Sequence, residues 1–285
     1  MPIPKISVVM SVYNFNRNPM RGIETILIQS MSDFEFIIVN DGSNEQTTGI
    51  LERYAKKDNR IILLTNDKRL RLASSLNKAI RESHSQYIAR ADVNISYHPE
   101  RLQKQFEFME ENHDIDILGS NFYWATDGMD GKKEVMLPEK HEQIAKRLSY
   151  ICCMCHPSIM YKHNKLIPFG PYKENYGWAE DYNLWMRVRN KLIFHNMQEF
   201  LLTKWHRKEP WKNRYDLTRF QYFKGDILSR IEGFSTSPCL WLDFTCLPTT
   251  FFCFIAGTRI HKILRYFKKA IPGNVYNEYI GAKLK

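Results

Sequence analysis

The sequence predicts an α/β fold, a single doubly wound and mainly parallel sheet followed by a C-terminal helical appendage. Three observations carry this expectation. Short β-branched apolar runs alternate with helix-period segments from Ile6 to Ser120, the pattern of a parallel sheet with crossover helices. The polar clusters "YNFN", "NDGS" and "ADVN" follow the first, second and fourth apolar runs directly, where an open α/β sheet collects its ligand-binding groups. After Ser235 the composition changes to an apolar run and then to the basic amphipathic stretch "RIHKILRYFKKAIP".

The elements follow in order. Ile6 to Val12 reads as a buried strand and Met20 to Ser30 as a helix. Glu35 to Val39 is a second strand, and Asn44 to Asp58 a helix for which Asn44 is the expected cap. Ile61 to Thr65 is a third strand, and Arg71 to Ser83 a helix with Leu72, Leu76, Ala79 and Ile80 on one face. Tyr87 to Ala91 is a fourth strand, and Pro99 to Asn112 a helix with proline in its first turn. Ile115 to Ser120 is a fifth strand. Beyond Asp127 the pattern loosens. The turn-rich "DGMDGKK" leads to a helix over His141 to Ser149, a strand over Cys155 to Tyr161 and a Gly/Pro-rich loop over Ile167 to Gly177. Trp178 to Asn190 then reads as helical, with strands near Ile193 and Leu201, and Lys212 to Gly233 as a longer helix.

Composition narrows the function. The formal charge is +10, from 41 basic and 31 acidic side chains, and it favours an anionic partner: nucleic acid, a phosphorylated small molecule or a membrane surface. Nucleic acid is disfavoured, because the chain has neither a recognisable module nor an aromatic-interleaved basic strand. Cys152, Cys153 and Cys155 crowd into "CCMCH", which suits a tetrahedral zinc cage poorly. With Cys239, Cys246 and Cys253 they read as buried, reduced thiols of a cytosolic protein. The N-terminal "MPIPKISVVMSVYN" lacks the basic leader and cleavage region of a signal peptide. The apolar run Leu240 to Ala256 is about 17 residues against the roughly 20 a bilayer needs, and it contains Asp243 and Pro248.

Three motifs and one histidine offer chemistry. Asp41, in "IIVNDGSN", either caps a helix or accepts hydrogen bonds from a base or ribose. Strand alternation puts Arg90 and Asp92 on one face, either as a simple ion pair or as contacts for ribose and diphosphate. In "GWAEDYNLWMRVRN", Glu180 and Asp181 open a helix, where acids suit the macrodipole; one of them can instead face the cleft as a general base, with Trp178 as an aromatic wall for a sugar. His206, just past a strand, is a structural imidazole or, beside a metal or diphosphate, a ligand.

Together, "ISVVMSVYN", "IIVNDGS", "SLNKAI", "YIARADVN…HPERL", "HPSIMY" and "AEDYNLWMR" resemble, in order and spacing from about Ile6 to His206, the inverting family-two glycosyltransferases of the GT-A fold. Each motif alone is weak; six in register are strong. The resemblance implies a nucleotide-sugar donor, usually a uridine-diphosphate sugar, and single displacement with inversion. It divides the chain into a transferase domain over 1–234, with a nucleotide-binding half over about 1–120 and an acceptor half over about 121–234, and a separate segment over 235–285. By position it implies that Val12 and Tyr13 line the base pocket, that Asp41 contacts the uridine, and that Arg71 and Arg90 belong to the donor side. It makes Asp92 the first acid of the DxD motif, near ribose and metal, and Asp181 the base toward the acceptor hydroxyl. Glu180 then contacts acceptor or donor sugar, Trp178 the acceptor, and His206 metal or diphosphate.

Two departures stand out. Asn94 replaces the second acid of the motif, with Ile95 after it, and Arg71 stands where the family commonly has glycine. An amide oxygen still coordinates Mn²⁺ or Mg²⁺ but brings no charge, so the ion is expected to be weakly held. Lys68, Arg69 and Arg71 are candidates to replace part of its charge, and a catalytically weakened, donor-binding homologue is the alternative. The expected partners are a nucleotide sugar, a glycan or lipid-linked glycan acceptor in surface polysaccharide or O-antigen synthesis, and an anionic membrane surface. The basic tail would lie on that surface, peripherally at the inner face of the plasma membrane.

Overall fold

The computed structural model describes residues 3–206, apart from 16–19, 150, 171 and 177–178, together with 228–229. The expected elements of the first half are present as β1 (Ile6–Val12), α1 (Arg21–Leu27), β2 (Phe34–Asn40), α2 (Glu45–Lys57), β3 (Ile61–Thr65), α3 (Leu72–Arg81), β4 (Tyr87–Arg90) and α4 (Arg101–Glu111), with one short strand that was not expected, β5 (Ile95–Tyr97), between β4 and α4. The second half adds β6 (Ile117–Thr126), β7 (Lys132–Val135), α5 (His141–Leu148), β8 (Met160–Lys162), α6 (His163–Leu166), α7 (Glu180–Val188) and β9 (Phe194–His206). Asn44 caps α2 as expected, its side chain accepting from the Thr47 N–H.

Among the described residues the strands form one nine-stranded sheet in the order β3-β2-β1-β4-β8-β6-β9-β5, with β7 on β6. The four strands β3, β2, β1 and β4 run parallel. β8 is antiparallel to both β4 and β6, and β6 runs parallel to β9. The sheet is doubly wound because its strands are apolar on both faces. In β1, Val8, Met10 and Val12 pack on one side with Ile23 and Ile26 of α1, Leu51 of α2 and Leu102 of α4. Val9 lies on the other with Leu76 of α3, Ile144 of α5 and Leu184 and Trp185 of α7. The order reverses between β1 and β4, so a crevice opens at their carboxyl ends, and Val12 and Arg90 flank it.

The later elements shift from expectation for local reasons. Pro157 fixes the backbone for a helical start, so His156–Ser158 winds as a 3₁₀ turn and the strand begins only at Met160. The two strands expected near Ile193 and Leu201 are one long β9; register shifts opposite Ser120–Tyr123 of β6 absorb its bend. Of the expected Lys212–Gly233 helix only Leu228 and Ser229 are described, and they are helical; the whole segment after Ser235 lies outside the described residues. Within the described residues no helix is long and apolar enough to cross a membrane.

Candidate active site

At the end of β1, Val12 is buried and Tyr13 is exposed, with the Arg69 guanidinium 4.0 Å above its ring. The turn after β1 is tied to the turn after β2: Asn14 N–H donates to Ser43 Oγ, and the Asn44 N–H donates to Asn14 Oδ1. Asp41 is buried, and it caps no helix of its own. Its Oδ1 accepts from Asn66 Nδ2 at 3.0 Å and from the Leu70 N–H at 2.7 Å, and its Oδ2 from the Arg71 N–H at 2.9 Å. The carboxylate therefore fixes the 66–71 loop that leads into α3. Arg71 is held there at φ 72, ψ 171, a region essentially reserved for glycine, with its side chain exposed beside those of Lys68 and Arg69.

At the end of β4, Arg90 and Asp92 meet as strand alternation requires, Nη2 to Oδ1 at 2.7 Å. Arg90 is buried while Asp92 keeps 32% of its side chain exposed, so the pair has an inner cation and an outer anion. Burial works against the charge on Arg90, but Asp92, Tyr97 and Tyr172 outweigh it and hold the guanidinium above its usual value. A second arginine, Arg101, lies behind. Its Nη2 donates to the Arg90 carbonyl at 3.0 Å, its Nε donates to Gln105, and its guanidinium stacks on Tyr97. Burial lowers it to about 10. Tyr97 in turn accepts from the Asp92 N–H at 2.7 Å, so the aspartate is fixed at both backbone and side chain. The close approach of Gly22 N–H to the Val93 carbonyl, 2.9 Å, completes the turn.

The third group stands on the other half of the sheet. Glu180 and Asp181 begin α7, whose Trp185 is fully buried against the sheet. Glu180 is buried with one oxygen unpaired; burial first, and the Asp181 charge second, push it up to about 8. Asp181 is 23% exposed, with Oδ1 accepting from the Tyr182 N–H at 2.7 Å. Burial raises it, while that hydrogen bond, Lys204 and Arg90 hold it down. Beneath Asp181 lies His156, whose Nε2 is 2.9 Å from the Tyr172 hydroxyl; burial, Arg90 and Lys204 keep its imidazole neutral. Glu180, Asp181, Arg90, Asp92 and Lys204 thus share one electrostatic neighbourhood, which sets a paired cation near two carboxyl groups of raised affinity for protons.

Metal donors are sparse. Asp92 gives one oxygen to Arg90, Asn94 is exposed on the turn, and His206 stacks on Trp124 at 3.7 Å with its Nε2 buried and unpaired. Burial and Lys204 lower the affinity of His206 for a proton, so its imidazole is a competent neutral donor. Among the described residues no group of three or more His, Cys, Asp or Glu is arranged to hold a metal. An aspartate oxygen, an amide oxygen and a neutral imidazole are donors that suit Mn²⁺ or Mg²⁺, with a single carboxylate to contribute charge. The thiol of Cys153, which meets the Ile144 carbonyl, is pushed up to about 12 by burial, and burial raises Cys152 and Cys155 as well.

Of the residues expected from sequence, the structure brings Arg90, Asp92, Glu180 and Asp181 together and sets Val12, Tyr13, Asp41 and Arg71 along the adjoining crevice. Trp178 lies outside the described residues. Sequence reasoning gave no role to Tyr97, Arg101, Tyr172 or Lys204. Tyr97, at the end of β5, is four residues before Arg101 at the head of α4, and Lys204 shares a strand face with His206; both were visible spacings without a partner to give them meaning.

The model of the family described as glycosyl transferase family 2 matches residues 7–167. The chain is 37% identical over 207 residues to an uncharacterized glycosyltransferase of Methanocaldococcus jannaschii, covering 71% of each chain. It is 32% identical over 213 residues to the O-antigen biosynthesis glycosyltransferase WbnJ of Escherichia coli, covering 73% of this chain and 82% of that one. Its fold is similar to that of TarS 1-349 of S. aureus solved with UDP-GlcNAc, with a TM-score of 0.67, 16% identity, and coverage of 87% of this chain and 71% of that one.

Proposed function

Because the chain belongs to glycosyl transferase family 2, we propose that it moves a sugar from a nucleotide-diphosphate donor, probed first as a UDP-sugar, to a hydroxyl of a growing surface glycan, with inversion at the anomeric carbon. The observation that carries this reading is Asp181: a partly exposed carboxylate, held at one oxygen and within the electrostatic reach of Arg90 and Lys204. Asp181 takes the proton of the acceptor hydroxyl as its oxygen attacks the anomeric carbon, and the bond to the diphosphate breaks on the opposite face. Glu180, protonated at neutral pH, donates a hydrogen bond to a sugar oxygen.

Charge decides how the leaving group is stabilised. Arg90 and Lys204, with Arg101 buried behind Arg90, supply fixed positive charge beside Asp92 and Asp181 before any ion binds. Arg69 and Arg71 add exposed cations at the nucleotide side. A divalent ion, Mn²⁺ or Mg²⁺, would be held by Asp92 with Asn94 and His206 and would supply further neutralisation of the diphosphate. Tyr13, with Arg69 across its ring, offers the base a stacking surface, and Asp41 sets the loop that lies beside it.

The relation to WbnJ supports an acceptor in O-antigen or related surface polysaccharide, and the UDP-GlcNAc bound by TarS supports the UDP class of donor. With such an acceptor, the basic stretch after Ser235 holds the enzyme on the inner face of the plasma membrane. Flotation with anionic vesicles checks this; binding that survives deletion of 235–285 rejects it. Asn94 favours a second reading, a donor-binding homologue without turnover. A panel of nucleotide sugars, assayed for hydrolysis and transfer with and without Mn²⁺, tests both. Turnover lost in Asp181→Asn with donor binding kept supports the transferase, whereas donor binding without turnover even in Asn94→Asp supports the second reading.

A further inference from the structure

His156, Tyr172 and Asn77 have no part in the chemistry so far, yet they form a buried chain that ends on the base. Asn77 of α3 and Tyr172 exchange two hydrogen bonds: Asn77 Nδ2 donates to the Tyr172 carbonyl at 2.8 Å, and the Tyr172 N–H donates to Asn77 Oδ1 at 2.9 Å. The Tyr172 hydroxyl stands 2.9 Å from His156 Nε2, and the opposite ring nitrogen, Nδ1, lies 3.9 Å from Asp181 Oδ2. Trp185 packs edge-on against the imidazole, which is 8% exposed. We propose that His156 is a positioning residue for Asp181, with its Nδ1–H aimed at the free carboxylate oxygen and its Nε2 held by the Tyr172 hydroxyl. The proposal rests on the reading of Asp181 as the base.

The tautomer follows from the anion at Nδ1. Burial raises Tyr172, so its hydroxyl is neutral and can either donate to Nε2 or accept from it; the facing Asp181 favours the ring proton on Nδ1, and the hydroxyl then donates to Nε2. The other tautomer would set a ring lone pair against the lone pairs of an ionised Asp181. At 3.9 Å the contact is too long for a hydrogen bond, so in the free enzyme it is a dipole aimed at an anion, and it shortens as the acceptor draws Oδ2 into line. The charged and titratable groups around the ring are Asp181, Tyr172, Arg90 and Lys204. The last two, with burial, keep the imidazole neutral, so His156 orients Asp181 and takes no proton from it. The proton of the acceptor goes to Asp181, the anomeric carbon gains the acceptor oxygen, and the nucleoside diphosphate leaves with the bonding electron pair.

The two side-chain amides separate the roles of the ring nitrogens, since asparagine retains a donor near Nδ1 and glutamine one near Nε2. Kinetics of the full chain with its best nucleotide sugar are expected to show kcat reduced about 10- to 100-fold in His156→Gln, with donor KM unchanged. The acid limb of kcat should move to higher pH by about one unit as Asp181 loses the facing N–H dipole. His156→Asn should restore most of both, and Tyr172→Phe should move the limb in the same direction by less. Wild-type kcat and acid limb in His156→Gln would overturn the proposal, as would equal loss in the Gln and Asn variants with a weakened donor KM. If Asp181→Asn itself retains transfer, the base assignment fails and the positioning role with it. If Asp181→Asn is inactive and His156→Gln is normal, only the positioning role fails.

Discussion

Gly22 and Asp92 are packed so closely that a Cβ added to Gly22 would stand 2.0 Å from the Asp92 carbonyl oxygen. The backbone of α1 is thus the floor on which the Asp92 turn rests. Gly22→Ala is expected to push that turn outward, costing about 1–3 kcal/mol of stability and breaking the alignment of Asp92 with Arg90. Urea unfolding together with donor affinity checks this, and an unchanged donor affinity would show that the turn adapts.

Arg71 occupies a backbone region that costs about 1–3 kcal/mol for a residue with a side chain. Arg71→Gly is expected to stabilise the fold by about 1 kcal/mol and, at the same time, to weaken donor binding by removing a cation. Thermal unfolding and donor titration read the two effects separately. A variant that gains stability and loses no affinity would leave the arginine without a role toward the nucleotide.

Glu180 gives a pH dependence of stability whose sign is fixed. Its affinity for a proton is raised in the fold, from 4.5 to about 8, so its contribution is present below the lower value and is lost as pH rises through the upper one. Glu180→Gln should therefore flatten the fall in stability between those values, by an amount on the order of a few kcal/mol. Urea midpoints at pH 5, 7 and 9 measure it, and a wild-type slope in the variant would place the titration elsewhere.

With Arg90 and Lys204 near the two carboxylates and Arg101 behind Arg90, transfer in excess chelator is expected to fall but persist. Asn94→Asp should raise the apparent affinity for Mn²⁺ about tenfold or more and make the enzyme more dependent on it. Complete loss of wild-type activity in chelator would show that the cations do not substitute for the ion.

The first half of the fold was legible because each strand is apolar on both faces and each helix has one apolar stripe. Ile61–Thr65 was found to the residue, and Asn44 caps its helix. The antiparallel half was less so. β5 is three residues long and β7 is the polar run Lys132–Val135, and neither has enough periodicity to be seen before its partner strand is known. In the site, Arg90 and Asp92 were legible because alternation alone makes them meet. The engagement of Asp41 with the 66–71 loop was not, since its partners are backbone N–H groups and an amide brought from 25 to 30 residues away. Lys204 was hidden for a related reason: its place beside the Asp92 turn comes from the pairing of β9 with β5, which sets Lys204 opposite Ile95.

Asn94 stands exposed on a turn whose shape is set elsewhere, by Gly22 beneath it and by the Tyr97 hydroxyl on the Asp92 N–H. The identity of its side chain is therefore uncoupled from folding. A lineage can gain or lose a negative charge there in one substitution without rebuilding the scaffold, and so drift between dependence on an ion and dependence on fixed arginines.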